Sequence, residues 1–175
     1  MTGQTAAIVF GGGAVVLVGS ITAYYIARYL RGSIKLALPQ NSFAAGEAIT
    51  GSFDVITRKE IPGHRLYAAL IGVEITEQRD GEKTQTHTRE IYRHEETLEK
   101  ALTWPAGQTK HYTFQLPSPS TPAPELLNST VVRAAQIGLE LLGANRRRLK
   151  WTVEVRLDAK GIDLATSQHV HINDD

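Results

Sequence analysis

The stretch TAAIVFGGGAVVLVGSITAYYIARYLRG, Thr5 to Gly32, carries no charged side chain before Arg28. Any fold this chain adopts must keep that run out of open water. From Ala6 to Ala27 it is apolar or small for about 22 residues. As a helix it would span about 33 Å, against a hydrocarbon core of about 30 Å. Gly11, Gly12 and Gly13 weaken a helix in water, but in lipid the backbone has no other hydrogen-bonding partners, so helix stays the favoured state. Two competing readings fail on detail. A dinucleotide-binding glycine loop needs Gly or Ala at its sixth place, where counting from Gly11 the chain has Val16; it also needs an acid about twenty residues on, and the first acid is Glu47. A cleavable signal needs a basic segment ahead of the apolar run, and no charged side chain precedes this one. The expectation is a single transmembrane helix over about residues 6–30, in an N-terminal unit 1–32.

The flanks give that helix a direction. Arg28, Arg31 and Lys35 follow it, while the short N-terminal tail has no basic side chain. The positive-inside rule then puts the N-terminus outside and the C-terminal domain in the cytoplasm. Tyr24, Tyr25 and Tyr29 join Arg28 and Arg31 as expected anchors at the lipid–water interface. Gly19, Ala23 and Ala27 recur at every fourth position, and Ala7 pairs with Gly11 in the same way. Such spacing makes a smooth face on which a second helix packs closely, from another copy or another membrane protein.

After Gly32 the apolar period drops to two. Ile34, Leu36 and Leu38 share a face, as do Ile49, Phe53 and Val55. Leu66, Ala68 and Leu70 are followed by Val73 and Ile75, a parity change beside Gly72 that predicts a bulge. Asp80-Gly81 marks a hairpin turn. A Thr-rich strand follows, then HEETLEKAL, whose pattern also fits a helical turn, and then a turn at Trp104 to Gly107. Tyr112, Phe114 and Leu116 alternate, and so do Leu149, Trp151, Val153, Val155 and Leu157. IDLATSQHVHI closes the domain. Short strands punctuated by Gly and Pro predict a mainly β fold, an antiparallel β-sandwich over residues 33–175. One insertion departs from it: a Pro-rich loop at 117–125, then Leu127, Val131, Ala134, Gly138 and Leu141 at helical spacing, which predicts one amphipathic helix over about 125–142.

Three stretches carry a family likeness. FAAGEAITGSFDVITRK, LTWPAGQTKHYTFQLP and the final LKWTVEVRLDAKGIDLATSQHVHI resemble, in this order, the second strand, the Gly-then-aromatic strand and the last hairpin of the arrestin-like superfamily. That group includes arrestin N-domains, the retromer cargo-adaptor subunit and bacterial sporulation-control proteins. The likeness covers most of Ser33 to Asn173 and only one lobe, so grooves formed between two lobes are not expected. It implies a non-catalytic protein-binding scaffold in the cytoplasm and names no partner. An exported Ig-like domain that binds an envelope ligand or acts as a chaperone is the competing reading.

The search for chemistry is short. A net charge of +1 gives no global attraction to nucleic acid. With no cysteine, disulfides, thiolate metal sites and thiol nucleophiles are all excluded. There is no nucleophile elbow and no phosphate loop. His169 and His171 share a strand face, the one handle for a metal-dependent enzyme, but no third ligand is evident, so neither a metal nor another cofactor is expected. Glu95, Glu96 and Glu99 read as a solvated acidic face. Asn128-Ser129-Thr130 matches a glycosylation acceptor that only an exported domain could use. The sharpest charged feature is Arg146, Arg147, Arg148 and Lys150. It suits an anionic lipid surface if it lies at the membrane-facing end, an acidic protein partner, or a solubilising turn beside Trp151.

Overall fold

The computed structural model describes residues 26–80, 83–120 and 145–173. The expected transmembrane helix, apart from its last residues, lies outside that set, as does the expected helix over 125–142 with most of the Pro-rich loop. Among the described residues no helix is long and apolar enough to cross a membrane. Residues 26–31 are helical and run directly into the first strand.

Among the described residues nine strands follow: β1 Gly32–Ala37, β2 Ser42–Ala44, β3 Ala48–Thr57, β4 Ile61–Asp80, β5 Lys83–Glu99, β6 Leu102–Trp104, β7 Thr109–Pro117, β8 Asn145–Ala159 and β9 Leu164–Asn173. They form two sheets, one ordered β1-β3-β7 and the other β2-β9-β8-β4-β5, with β6 paired to β4. The alternation that predicts the strands also sets their faces. Ile34, Ile49, Phe53, Val55, Phe114 and Leu116 from the smaller sheet meet Leu66, Ala68, Leu70, Val153, Val155, Leu157 and Leu164 from the larger one. Phe53 stacks on Tyr112 with ring centroids 5.4 Å apart. Pairing is antiparallel throughout except between β2 and β9, which run parallel, so the expected all-antiparallel sandwich is corrected at one short edge.

The structure changes four local readings. HEETLEKAL is not a helical turn: β5 runs to Glu99, because β4 offers it a partner along its whole length and Leu98 packs against the core. Trp104 is not in a turn; it ends β6 opposite Ile61 and is 1% exposed, filling one end of the core. The bulge beside Gly72 is present, but the extra residue is Ile91 on β5, since Gly72 pairs with Tyr92 and Val73 with Glu90. On its other side β4 stays in step with β8, so Gly72 lies opposite Trp151, and Glu74 rather than Val73 or Ile75 is the buried residue of that stretch. Finally, the basic run at Arg146 is part of strand β8 and not a loop.

Away from the core, the outer face of the larger sheet is laced by ion pairs. Arg65 and Arg93 both bind Glu95, at 2.9 and 3.0 Å, and Arg156 binds Glu154 at 3.0 Å. The guanidinium of Arg65 lies 4.2 Å above the Tyr67 ring, and burial beneath this layer pushes the Tyr67 phenol above its usual range.

Candidate functional site

At the end of the sandwich where residues 26–31 enter, beside the β6–β7 turn that bonds Thr57, three segments surround the entry. These are the 26–31/β1 junction, the β3–β4 turn at Arg58 to Glu60, and the β8–β9 turn at Lys160 to Asp163. The last carbonyls of a helix have no intrahelical donor and carry its partial negative charge. Here they are met by basic residues of the β3–β4 turn. The Arg58 and Lys59 amides both donate to the Arg31 carbonyl, at 2.9 and 3.3 Å. The Arg58 guanidinium donates to the Tyr29 carbonyl and lies 4.2 Å above the Tyr29 ring. In the other direction, Arg31 donates to the carbonyls of Ile162 and Lys160 at 2.9 and 2.7 Å, and Arg28 donates to the carbonyl of Ala165. The junction admits no separation at Gly32. A methyl group there would sit 2.4 Å from the Ile56 carbonyl oxygen and 2.9 Å from Leu164.

The expected interface anchors Arg28, Tyr29 and Arg31 thus lie on one helical turn, and the two arginines grip the sandwich. Around them Ile26, Tyr29 and Leu30 are 53%, 64% and 47% exposed, a concentration of exposed large apolar side chains on one helical turn. A crevice of about 250 Å³ lies beneath, between Arg28, Tyr29, Ile34 and Leu164. Tyr24 and Tyr25 lie outside the described residues, as do Ala7, Gly11, Gly19 and Ala23; Ala27 alone of the expected packing face is described, and it is exposed.

Two further basic side chains, Lys59 and Lys160, complete this end and were not singled out by sequence. They lie far apart in the chain, each in an ordinary polar turn. Only the pairing of β3 with β1 and of β4 with β8 brings their turns to the same end. Both are exposed. Among the described residues neither they nor Arg28, Arg31 and Arg58 are ion-paired, whereas Arg65, Arg93, Arg148 and Arg156 each meet a carboxylate. Glu60 is the exposed carboxylate within the β3–β4 turn. Asp163, in the neighbouring turn, is taken up by the Ala159 amide at 3.1 Å and Arg156 at 3.3 Å.

The basic run Arg146, Arg147, Arg148 and Lys150 lies elsewhere. It begins β8, and the turn gripped by Arg31 ends it. From Arg148 to Ala159 the strand covers about 36 Å at roughly 3.3 Å per residue. Arg148 donates to Glu77 on β4 at 2.8 Å. Lys150 is exposed beside a cleft of about 420 Å³ that also touches Leu149, Trp151, His169 and His171. The two histidines do share an exposed strand face, with His169 3.1 Å from the Thr152 hydroxyl. Among the described residues no group of three or more metal-ligating side chains is assembled. A broad groove of about 700 Å³ between Leu38, Gly51, Phe114 and Glu96 is bridged by Glu96, which accepts the Gln115 amide at 3.1 Å.

The sheet order and the shared core define an arrestin-like β-sandwich lobe. Its fold is similar to that of the crystal structure of Spo0M, a sporulation control protein from Bacillus subtilis, with a TM-score of 0.55 at 14% sequence identity. That likeness covers 82% of this chain and 49% of Spo0M, so the chain spans about half the length of that relative. No family model matches the chain. No curated protein matches it by sequence.

Proposed function

We propose that this protein is a single-pass membrane scaffold, a non-catalytic adaptor or accessory subunit. Its arrestin-like lobe sits on the cytoplasmic face and binds membrane proteins or membrane-bound complexes. The observation that carries the reading is the junction at residues 26–33. The apolar run of the sequence passes into β1 with no linker, and Arg28, Arg31 and Arg58 fasten its last turn to three neighbouring segments. A lobe joined in that way moves with its helix. Its partners are then those that share the same membrane, reached either by the small-residue face Ala7, Gly11, Gly19, Ala23 and Ala27 or by the sandwich itself.

Three measurements test this. Membranes from cells making the full chain are washed with alkaline carbonate. Retention in the pellet is expected, and release to the supernatant overturns the anchor. Because the chain has no cysteine, single cysteines at Ser52 or Ser167 report sidedness cleanly. They should resist an impermeant maleimide in intact cells; labelling would place the lobe outside and favour the exported envelope domain. Purification in mild detergent should recover a membrane protein partner, and a lone monomer would count against an adaptor.

A further inference from the structure

We infer that the tether end is a binding site for anionic phospholipid headgroups, made by Lys59, Lys160 and the outer edge of Arg58. This inference rests on the anchored reading above and adds the chemistry of the surface that the lobe faces.

Three observations point to a lipid surface rather than to a protein. The first is composition: an exposed apolar turn, Ile26, Tyr29 and Leu30, stands beside exposed bases, Arg58, Lys59 and Lys160. Apolar and aromatic side chains at acyl-chain depth with Lys and Arg at headgroup level is the arrangement that binds a membrane interface. The second is pairing. Lys59 and Lys160, like Lys35 and Lys150 elsewhere, have no carboxylate partner among the described residues, so at this end both ammonium groups stay available to a phosphate. The third is continuity with the chain. The apolar run Ala6 to Ala27 leads in sequence into the helical turn 26–31 at this end, so a bilayer holding that run meets this end of the lobe first.

The geometry also divides the labour among the cations. Arg28 and Arg31 spend their donors on the carbonyls of Ala165, Ile162 and Lys160 and hold the turn in place. Lys59 and Lys160, one on each of the two flanking turns, keep theirs free. Their two turns are joined where the Lys160 amide donates to the Pro62 carbonyl at 3.3 Å, so both lysines belong to the same end of the lobe. The basic run at Arg148 and Lys150 takes no part, because the length of β8 separates it from this end.

The test uses the full chain in nanodiscs of phosphatidylcholine alone or mixed with phosphatidylglycerol, with lysine acylation read by mass spectrometry. Lys59 and Lys160 should be protected in the anionic discs and labelled in the neutral ones, while Lys150 labels equally in both. In cosedimentation with vesicles of the same two compositions, Lys59→Gln with Lys160→Gln should remove about thirtyfold of the anionic preference, about fivefold per base. Neither side chain makes a contact that holds the fold, so parent-like thermal unfolding is expected and checks the variant. Equal labelling in both discs overturns the inference, as does protection that requires a copurifying protein. Failure of the chain to enter discs at all refutes the anchor instead. The cosedimentation arm then still decides the headgroup site: no difference between vesicle types, or none lost in the variant, refutes it.

Discussion

Gly32→Ala perturbs the one point where helix, strand and neighbouring sheet have no room to part. The added methyl would lie 2.4 Å from the Ile56 carbonyl oxygen. A carbon–oxygen contact relaxes at about 3.3 Å, so β1 must withdraw from β3 by about 0.9 Å at this end. The obstacle is backbone, not the far end of a flexible side chain, and Leu164 at 2.9 Å blocks escape toward the core. Withdrawal loosens the bonds from the Arg58 and Lys59 amides to the Arg31 carbonyl. Two backbone hydrogen bonds at about 1 kcal/mol each, with overpacking of about 1–2 kcal/mol, give an expected loss of about 3–4 kcal/mol. Trp104 and Trp151 are 1% and 6% exposed, so their fluorescence reports unfolding. With an m-value of about 2 kcal/mol/M, the urea midpoint of the full chain in a mild detergent should fall by about 1.5–2 M. Amide exchange at residues 58 and 59 should quicken more than at Val153 or Val155. A midpoint within about 0.25 M of the parent, with exchange at 58 and 59 unchanged, would refute the claim that the junction is sterically fixed.

Three other outcomes follow from the same coordinates. Gly72→Ala places a methyl 2.4 Å from the Trp151 ring, packed edge-on against Tyr92 at 5.7 Å; it should cost about 1–3 kcal/mol in urea unfolding, with most of that recovered when Trp151→Leu is added. Burial, aided by the hydrogen bond to Glu99, raises the Tyr112 phenol above its ordinary value of 10.0; its stabilising share is therefore full below pH 10.0 and lost as the pH climbs from there toward the raised folded value, so Tyr112→Phe should flatten the alkaline fall in thermal midpoint. Arg148→Glu breaks a surface pair with Glu77 and should cost less than about 1 kcal/mol while leaving anionic-vesicle binding unchanged; a loss of binding would move the lipid site to the far end of β8.

How far the sequence could be read depended on how local each cause was. Ile34, Phe53, Val55, Phe114 and the run from Trp151 to Leu157 declare themselves by alternation, since a strand's faces are fixed by its own pleat. The parity change at Gly72 correctly placed a bulge, yet the extra residue belonged to β5. A bulge is a property of a pair of strands, and one strand's sequence carries only half of it. HEETLEKAL reads as readily as helix until β4 offers it a partner, and Trp104 looks like part of a turn until Ile61 pairs with it. The basic run at Arg146 reads as readily as a solubilising turn because its charges mask the strand that follows; pairing with β4 and the bridge from Arg148 to Glu77 make it strand.

The sequence by itself determined that the first thirty residues differ in kind from the rest, and that the rest is a β-sandwich. Both follow from the order of apolar and polar side chains along a short stretch, which sets what each stretch must bury. It also singled out Arg28, Tyr29 and Arg31. Only the tertiary structure decided what those residues touch, that Arg58, Lys59 and Lys160 stand beside them, and that Arg148 lies a strand's length away. Those relations arise from which turn ends up at which end of the sheets. Strand pairing settles that through contacts between residues more than a hundred positions apart, such as Arg31 with Ile162, and no short-range pattern encodes it.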